Sequence, residues 1–272
     1  MKHAIMILGS GTNFDVVQKT ITHFDDSDID FFIHWDLKYE LPKFMAKKSQ
    51  IYFVKPRIKV YWGTSTGIFA EQKLLKRVFL CKRKYDYIHL ISSSDIPLMT
   101  KDYFKNYFKK NLYLGYMPNS EKYTRRLSFY YPIDHFSVRN KWRLIRLIEK
   151  LNILFHINRL KGFNVTLEKG PNWFSMRSSF LPLILKYKNM NIFKHSFLGD
   201  ELYIQTILSS YRPEVLKNDN EMAARYIDWK RGNPYTFTKS DLTELKKQID
   251  TKFAFARKVN DASLIDSLFE NY

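Results

Sequence analysis

With one cysteine, Cys81, in 272 residues, the chain can form no internal disulfide, and a reducing compartment is the natural expectation. Nowhere does it hold the ~18 uninterrupted apolar residues that a bilayer-spanning helix needs. The opening stretch Met1-Lys2-His3-Ala4-Ile5-Met6-Ile7-Leu8-Gly9 has a short apolar run but lacks a cleavage pattern. It therefore reads as a first core strand, and secretion is not expected. No Gly/Ser-rich or Pro-rich linker and no internal repeat divides the chain, so a single domain over 1–272 is expected. Acidic residues are scarce: 27 Asp and Glu stand against 45 Lys and Arg, a formal charge of +18. Such an excess calls for polyanions, an anionic membrane or a phosphorylated substrate as partner, or reflects composition alone. Zinc-finger spacing, a helix-turn-helix signature and an RNP-like strand are all missing, which argues against nucleic acid.

What is present suits a large packed core, with 45% hydrophobic and 17% aromatic residues. Ala4 to Leu8, Asp30 to Asp36, Ile51 to Val54 and Tyr87 to Ile91 read as strands. Helices are predicted from Asn13 or Phe14 to His23 and from Ile68 to Cys81, the latter with Phe69, Leu74, Leu75, Val78 and Phe79 on one face. This alternation predicts an α/β fold with a parallel sheet. After Lys101 the pattern is mixed, with Asn172 to Met176 as a strand and Asp200 to Ser209 as a helix. Between Arg139 and Lys161, seven cations interleave with Trp142, Leu144, Leu147, Ile148, Leu151, Leu154 and Phe155. That segment reads equally as a helix lying on an anionic membrane or as an amphipathic helix packed on the core.

Three stretches carry chemistry. The apolar run Tyr87 to Ile91 empties into Ser92-Ser93-Ser94-Asp95-Ile96-Pro97, the kind of loop at which open α/β sheets bind ligands. Gly199-Asp200-Glu201 offers a carboxylate that can act as a base, and Arg257-Lys258 offers two adjacent cations that can hold a diphosphate. Together these are the parts with which a transferase moves a sugar from a nucleotide donor. Taken singly they are also a helix start, with Asp200 as cap and Glu201 in the first turn, and a basic pair near a helix end. Asp26-Ser27-Asp28-Ile29-Asp30 has metal-ligand spacing, yet it precedes a strand where a ligand loop should follow one, so a solvated acidic turn is expected.

Seven ordered blocks resemble the core-2/I-branching family of inverting glycosyltransferases, which includes β-1,6-N-acetylglucosaminyltransferases and peptide O-xylosyltransferases. They are Phe32-Ile33-His34-Trp35-Asp36, Val60-Tyr61-Trp62-Gly63, Ser92 to Leu98, Gly170-Pro171-Asn172-Trp173-Phe174, Gly199-Asp200-Glu201, Arg225-Tyr226-Ile227-Asp228-Trp229 and Phe255-Ala256-Arg257-Lys258. The resemblance implies a GT-A-type fold, a nucleotide-binding half over 1–100 and an acceptor and catalytic half over 101–272. It implies Glu201 as general base, with Arg257 and Lys258 as a diphosphate-binding pair in place of a divalent metal. It also implies Ile33, Asp36, Arg57 and Asp95 at the donor, and Asn172, Trp173 and Asp200 at the acceptor.

The mammalian branching enzymes carry a second arginine upstream of the lysine; Asn233 to Thr238 has none here, and the resemblance to the xylosyltransferase-like members implies Arg257 in that role. The expected protein is a cytoplasmic bacterial-type enzyme, peripheral on the inner face of the plasma membrane, with no metal or other cofactor. It would use a UDP-sugar donor and a glycan or lipid-linked saccharide acceptor. Two readings stay open beside it: a non-catalytic polyanion- or membrane-binding protein on the same fold, and a metal-dependent transferase using Asp26 to Asp30.

Overall fold

The computed structural model describes residues 1–270. The chain order is β1 (His3–Gly9), α1 (Asp15–His23), β2 (Ile29–Trp35), β3 (Ile51–Phe53), α2 (Thr66–Phe79), β4 (Tyr87–Ser92), β5 (Asp95–Pro97), α3 (Lys101–Tyr107) and β6 (Leu112–Leu114). It continues with α4 (Arg125–Ser128), α5 (Trp142–Leu154), β7 (Phe174–Arg177), α6 (Leu181–Leu185), α7 (Asp200–Ile207), α8 (Asp219–Met222), β8 (Arg225–Ile227), α9 (Leu242–Lys246), β9 (Phe255–Arg257) and α10 (Ser263–Leu268).

One six-stranded sheet runs β3-β2-β1-β4-β7-β6, parallel from β3 to β4 and antiparallel at β7 and β6. Strands covered on both faces need continuous apolar sequence, and every residue of β2 is buried. The helix α2 lays Ile68, Leu74, Leu75 and Val78 against this sheet, while Phe79, predicted on the same face, is 42% exposed. Strand order reverses between β1 and β4, whose carboxyl ends open beside each other. Chains of this architecture bind ligands there.

A second sheet, β5-β9-β8, crosses that opening. Its strands are three residues long, too short to show a period. What fixes it to the large sheet is Arg225, fully buried in β8. Its guanidinium donates to the carbonyls of Leu90 (3.1 Å), Phe174 (2.6 Å) and Ala223 (2.9 Å) and to Ser175 Oγ (3.2 Å), and stacks 4.9 Å from the Phe255 ring. Burial lowers its pKa to about 10. The network continues inward, with Ser175 Oγ sharing a 2.8 Å hydrogen bond with His89, and His89 one of 3.0 Å with His3. Burial holds both imidazoles below the usual range, so they stay neutral and fit an apolar interior.

Candidate active site

The two ends of the reversal point form a polar crevice. Its 260 Å³ cavity is lined by Ser10, Gly11, Thr12 and Asn13 after β1, Ser93 and Ser94 after β4, and Val259 and Asn260 after β9. A second cavity of 370 Å³ shares Gly11 and Thr12 and extends over Phe14 and Glu40 to Lys43.

The antiparallel pairing of Asp95 with Arg257 sets one wall. Asp95 accepts from the Ser92 backbone (2.7 Å), Ser92 Oγ (2.9 Å) and Arg257 Nη1 (2.8 Å), and Arg257 also donates to Ser92 Oγ. The other face of Arg257 lies 4.2 Å over the Trp173 ring. Lys258 follows, half-buried and with no ion pair among the described residues. Burial, then the charges of Arg257 and Arg139, hold its ammonium below the usual lysine range. Three cations are thus gathered beside the crevice, and an arriving anion would relieve their repulsion.

Trp173 connects this wall to the carboxylates. The NH2 of its neighbour Asn172 faces Glu71 Oε2 (3.0 Å) and the Asp200 carbonyl (3.3 Å). Gly199 is the N-terminal flank of α7 and caps through no side chain, so Asp200 does not serve as the cap that its position suggested. Asp200 Oδ1 is sealed from solvent without a partner, and burial, helped by the charge of Glu201, pushes its pKa up to about 6. Glu71, wholly buried, is pushed well above the carboxylate range by burial and by Asp200, so it is held as the neutral acid.

Glu201, in the first turn of α7, faces the other way. Its Oε2 receives Arg126 Nη1 at 2.6 Å and Lys169 Nζ at 3.2 Å. Tyr123 supports both cations, its ring 4.7 Å from the guanidinium of Arg126 and 4.8 Å from the ammonium of Lys169. Oε1 makes no hydrogen bond within the described chain and is open to a hydroxyl. Two cations on one oxygen fix the direction of the carboxylate, which a general base requires. The backbone is equally constrained. Gly170 donates its N–H to the Glu201 carbonyl at 2.9 Å, and a Cβ on Gly170 would stand 2.0 Å from the Gly115 carbonyl oxygen.

Residues 4–249 match the family model Branch, the core-2/I-branching enzymes. The chain belongs to the core-2/I-branching enzyme family. Members are glycosyltransferases, which take a nucleotide-sugar donor and a glycan acceptor, and the mixed α/β architecture is that of a GT-A-like glycosyltransferase fold. A comparison with curated proteins found no match. The family match ends before Arg257 and Lys258, so their assignment stands on the Phe255 to Lys258 block and on the geometry above.

The residues singled out from the sequence fall in three groups. Glu201, Asp200, Asn172, Trp173, Arg257, Lys258 and Asp95 form one connected set. Asp36 and Arg57 lie at the β2 end of the site as braces: Asp36 accepts from the backbones of Lys38 (3.0 Å) and Val60 (3.2 Å), and Arg57 donates to the Tyr39 carbonyl (3.0 Å). They hold the loop that carries Trp62 and Gly63, whose φ of +80° and 2.7 Å Cβ approach to Val138 admit only glycine. Ile33 is separate, fully buried in the core with Ile7, Val17 and Trp35, and turns no side-chain atom to the crevice.

The acidic run is not a ligand set. Asp26 pairs with Lys105 (3.0 Å), and Asp30, fully buried instead of solvated, pairs with Arg83 (3.1 Å) and accepts from Tyr85 (2.6 Å), at the amino end of β2. No group of three His, Cys, Asp or Glu among the described residues could hold a metal ion. Arg126 and Lys169 went unforeseen. Lys169 immediately precedes the Gly170 to Phe174 block and one more residue of context would have included it; Arg126 has no local signal at all.

Proposed function

We propose that this enzyme moves N-acetylglucosamine or xylose from its UDP-sugar to a hydroxyl of a glycan or lipid-linked saccharide, inverting the anomeric centre and using no divalent metal. Its setting would be bacterial surface polysaccharide synthesis on the cytoplasmic side. The observation that carries the reading is the run of chain neighbours and contacts through Glu201, Asp200, Asn172, Trp173 and Arg257, in which Asn172 meets the Asp200 carbonyl and Arg257 lies over Trp173, linking a carboxylate fixed by two cations to the cation cluster beside the β1/β4 crevice.

In the proposed step the acceptor hydroxyl oxygen bonds to the anomeric carbon as its proton passes to Glu201 Oε1. The bond from that carbon to the β-phosphate oxygen breaks, and its electron pair leaves with UDP. Lys258 and Arg257 meet the charge that gathers on the diphosphate, which lowers the barrier because it is largest in the transition state. Asp95 is the lone acid of the β4 loop, and both its oxygens are already held by Ser92 and Arg257, which supports a direct cationic role there in place of a metal.

The test is a panel of UDP-sugars offered with saccharide acceptors in the presence of a chelator, with product linkage read by NMR. The reading expects turnover of one donor and a β-linked product from the α-linked sugar. Turnover only after manganese is added removes the metal-free part; retention of configuration removes the role of Glu201.

A further inference from the structure

The helix α5 buries a narrow strip and leaves a broad one outside. Ile145, Ile148 and Asn152 face inward, packed with Tyr131, Ile133, Val138 and Phe197. Asn152 clamps the Tyr130 backbone through both its N–H (2.7 Å) and its carbonyl (3.0 Å), so the helix cannot roll its other side into the core. On that other side Leu147, Leu151, Leu154 and Phe155 are 53%, 43%, 67% and 67% exposed. At about 100° per residue these four form one stripe, with Arg143, Arg146 and Lys150 beside it and Trp142 and Ile153 beyond the cations. The apolar repeat Leu144, Leu147, Ile148 and Leu151, read from the sequence as serving either a membrane or the core, is therefore split, with Ile148 turned inward and Leu147 and Leu151 outward.

Scattered exposed leucines need no explanation, but this many large apolar side chains on one short helix do. The charges beside them are of one sign. Arg143, Arg146 and Lys150 make no ion pair among the described residues, and Glu149, the only acid between 139 and 161, turns inward to the Tyr131 hydroxyl (3.2 Å). No helix among the described residues is long and apolar enough to cross a membrane.

We infer that the outward face of α5 is a docking surface for an anionic phospholipid bilayer. The apolar stripe enters the headgroup boundary, and the three cations meet lipid phosphates and acidic headgroups. A second copy of the chain fits less well, since a two-fold pairing of this face would bring cations against cations. Nucleic acid would be met by the cations but has no use for the leucines. In the segment that follows α5, Arg159 donates to the carbonyl of Leu127 (3.3 Å), the residue after Arg126, which reaches Glu201. The inference does not rest on the proposed reaction, because lipid binding needs no turnover.

The experiment is co-sedimentation of the full chain with phosphatidylglycerol/phosphatidylcholine vesicles and with pure phosphatidylcholine vesicles, at physiological salt, with size-exclusion chromatography alongside. Two variants are compared: Leu147→Ser/Leu151→Ser/Leu154→Ser, and Arg143→Glu/Arg146→Glu/Lys150→Glu. Sedimentation at least tenfold stronger with the anionic vesicles, lost in both variants while their circular dichroism melts and UDP affinity hold, supports the surface. Wild-type protein that stays in the supernatant overturns it. So does retained sedimentation of the leucine variant, which marks a mere polycation, or a wild-type dimer that this variant converts to monomer. UDP affinity in the same samples reports on the transferase reading separately.

Discussion

Glu201→Gln lowers the turnover number by about a thousandfold, within the usual span of a positioned general base, and leaves UDP affinity nearly unchanged. The variant keeps the shape of the side chain and an oxygen for Arg126 and Lys169, so the site stays assembled while the proton acceptor is gone. Arg126 and Lys169 bind Oε2 at 2.6 and 3.2 Å, and no described group binds Oε1, so under the proposal the amide loses the carboxylate's charge and its open oxygen while keeping an oxygen for both cations. Steady-state kinetics beside UDP titration checks this. A loss below about tenfold would place the base elsewhere, since even a weak general base is worth more.

Arg225→Ala destabilises the protein by about 3–5 kcal/mol, the range for leaving buried acceptors unpaired beside a cavity. The carbonyls of Leu90, Phe174 and Ala223, all in fully buried residues, would lose their donor. The arginine itself carries a burial penalty, seen in its lowered pKa, which its removal returns and which keeps the net effect from being larger. Because Arg225 fixes the small sheet that carries Arg257, UDP affinity should fall with stability. Arg225→Lys, which can reach some of the same carbonyls, should lose about half as much, by the same per-bond reckoning. Denaturant midpoints measure the series, and an Arg225→Ala midpoint equal to that of the wild type would mean the sheets are held by packing alone.

The large sheet was legible in the sequence because β1, β2 and β4 are long apolar runs and α2 has a clear repeat. The small sheet was not, since three-residue strands such as Asp95–Pro97 and Phe255–Arg257 carry no period and pair across the whole chain. The same physics divides the site. Glu201, Arg257 and Lys258 stood in short blocks with a recognisable order, but the two cations that orient Glu201 reach it from distant loops. Asp95 was visible as a lone acid in a polar loop, yet its bond to Arg257 spans 162 positions and no local pattern encodes it. In α5, apolar residues occupy nearly every side of the helix, so periodicity alone could not separate the packing face from the exposed one. Asn152, a polar residue, decides it by anchoring the inward side.

The most direct measurement is calorimetric titration of UDP into the chelator-treated protein, beside the Arg257→Ala/Lys258→Ala variant. The account predicts metal-free binding by the wild type and at least about a hundredfold loss in the variant, from two charge-assisted hydrogen bonds at roughly a factor of ten each. Wild-type binding that appears only on adding manganese, or that the double substitution leaves intact, would contradict a diphosphate site built from those two cations.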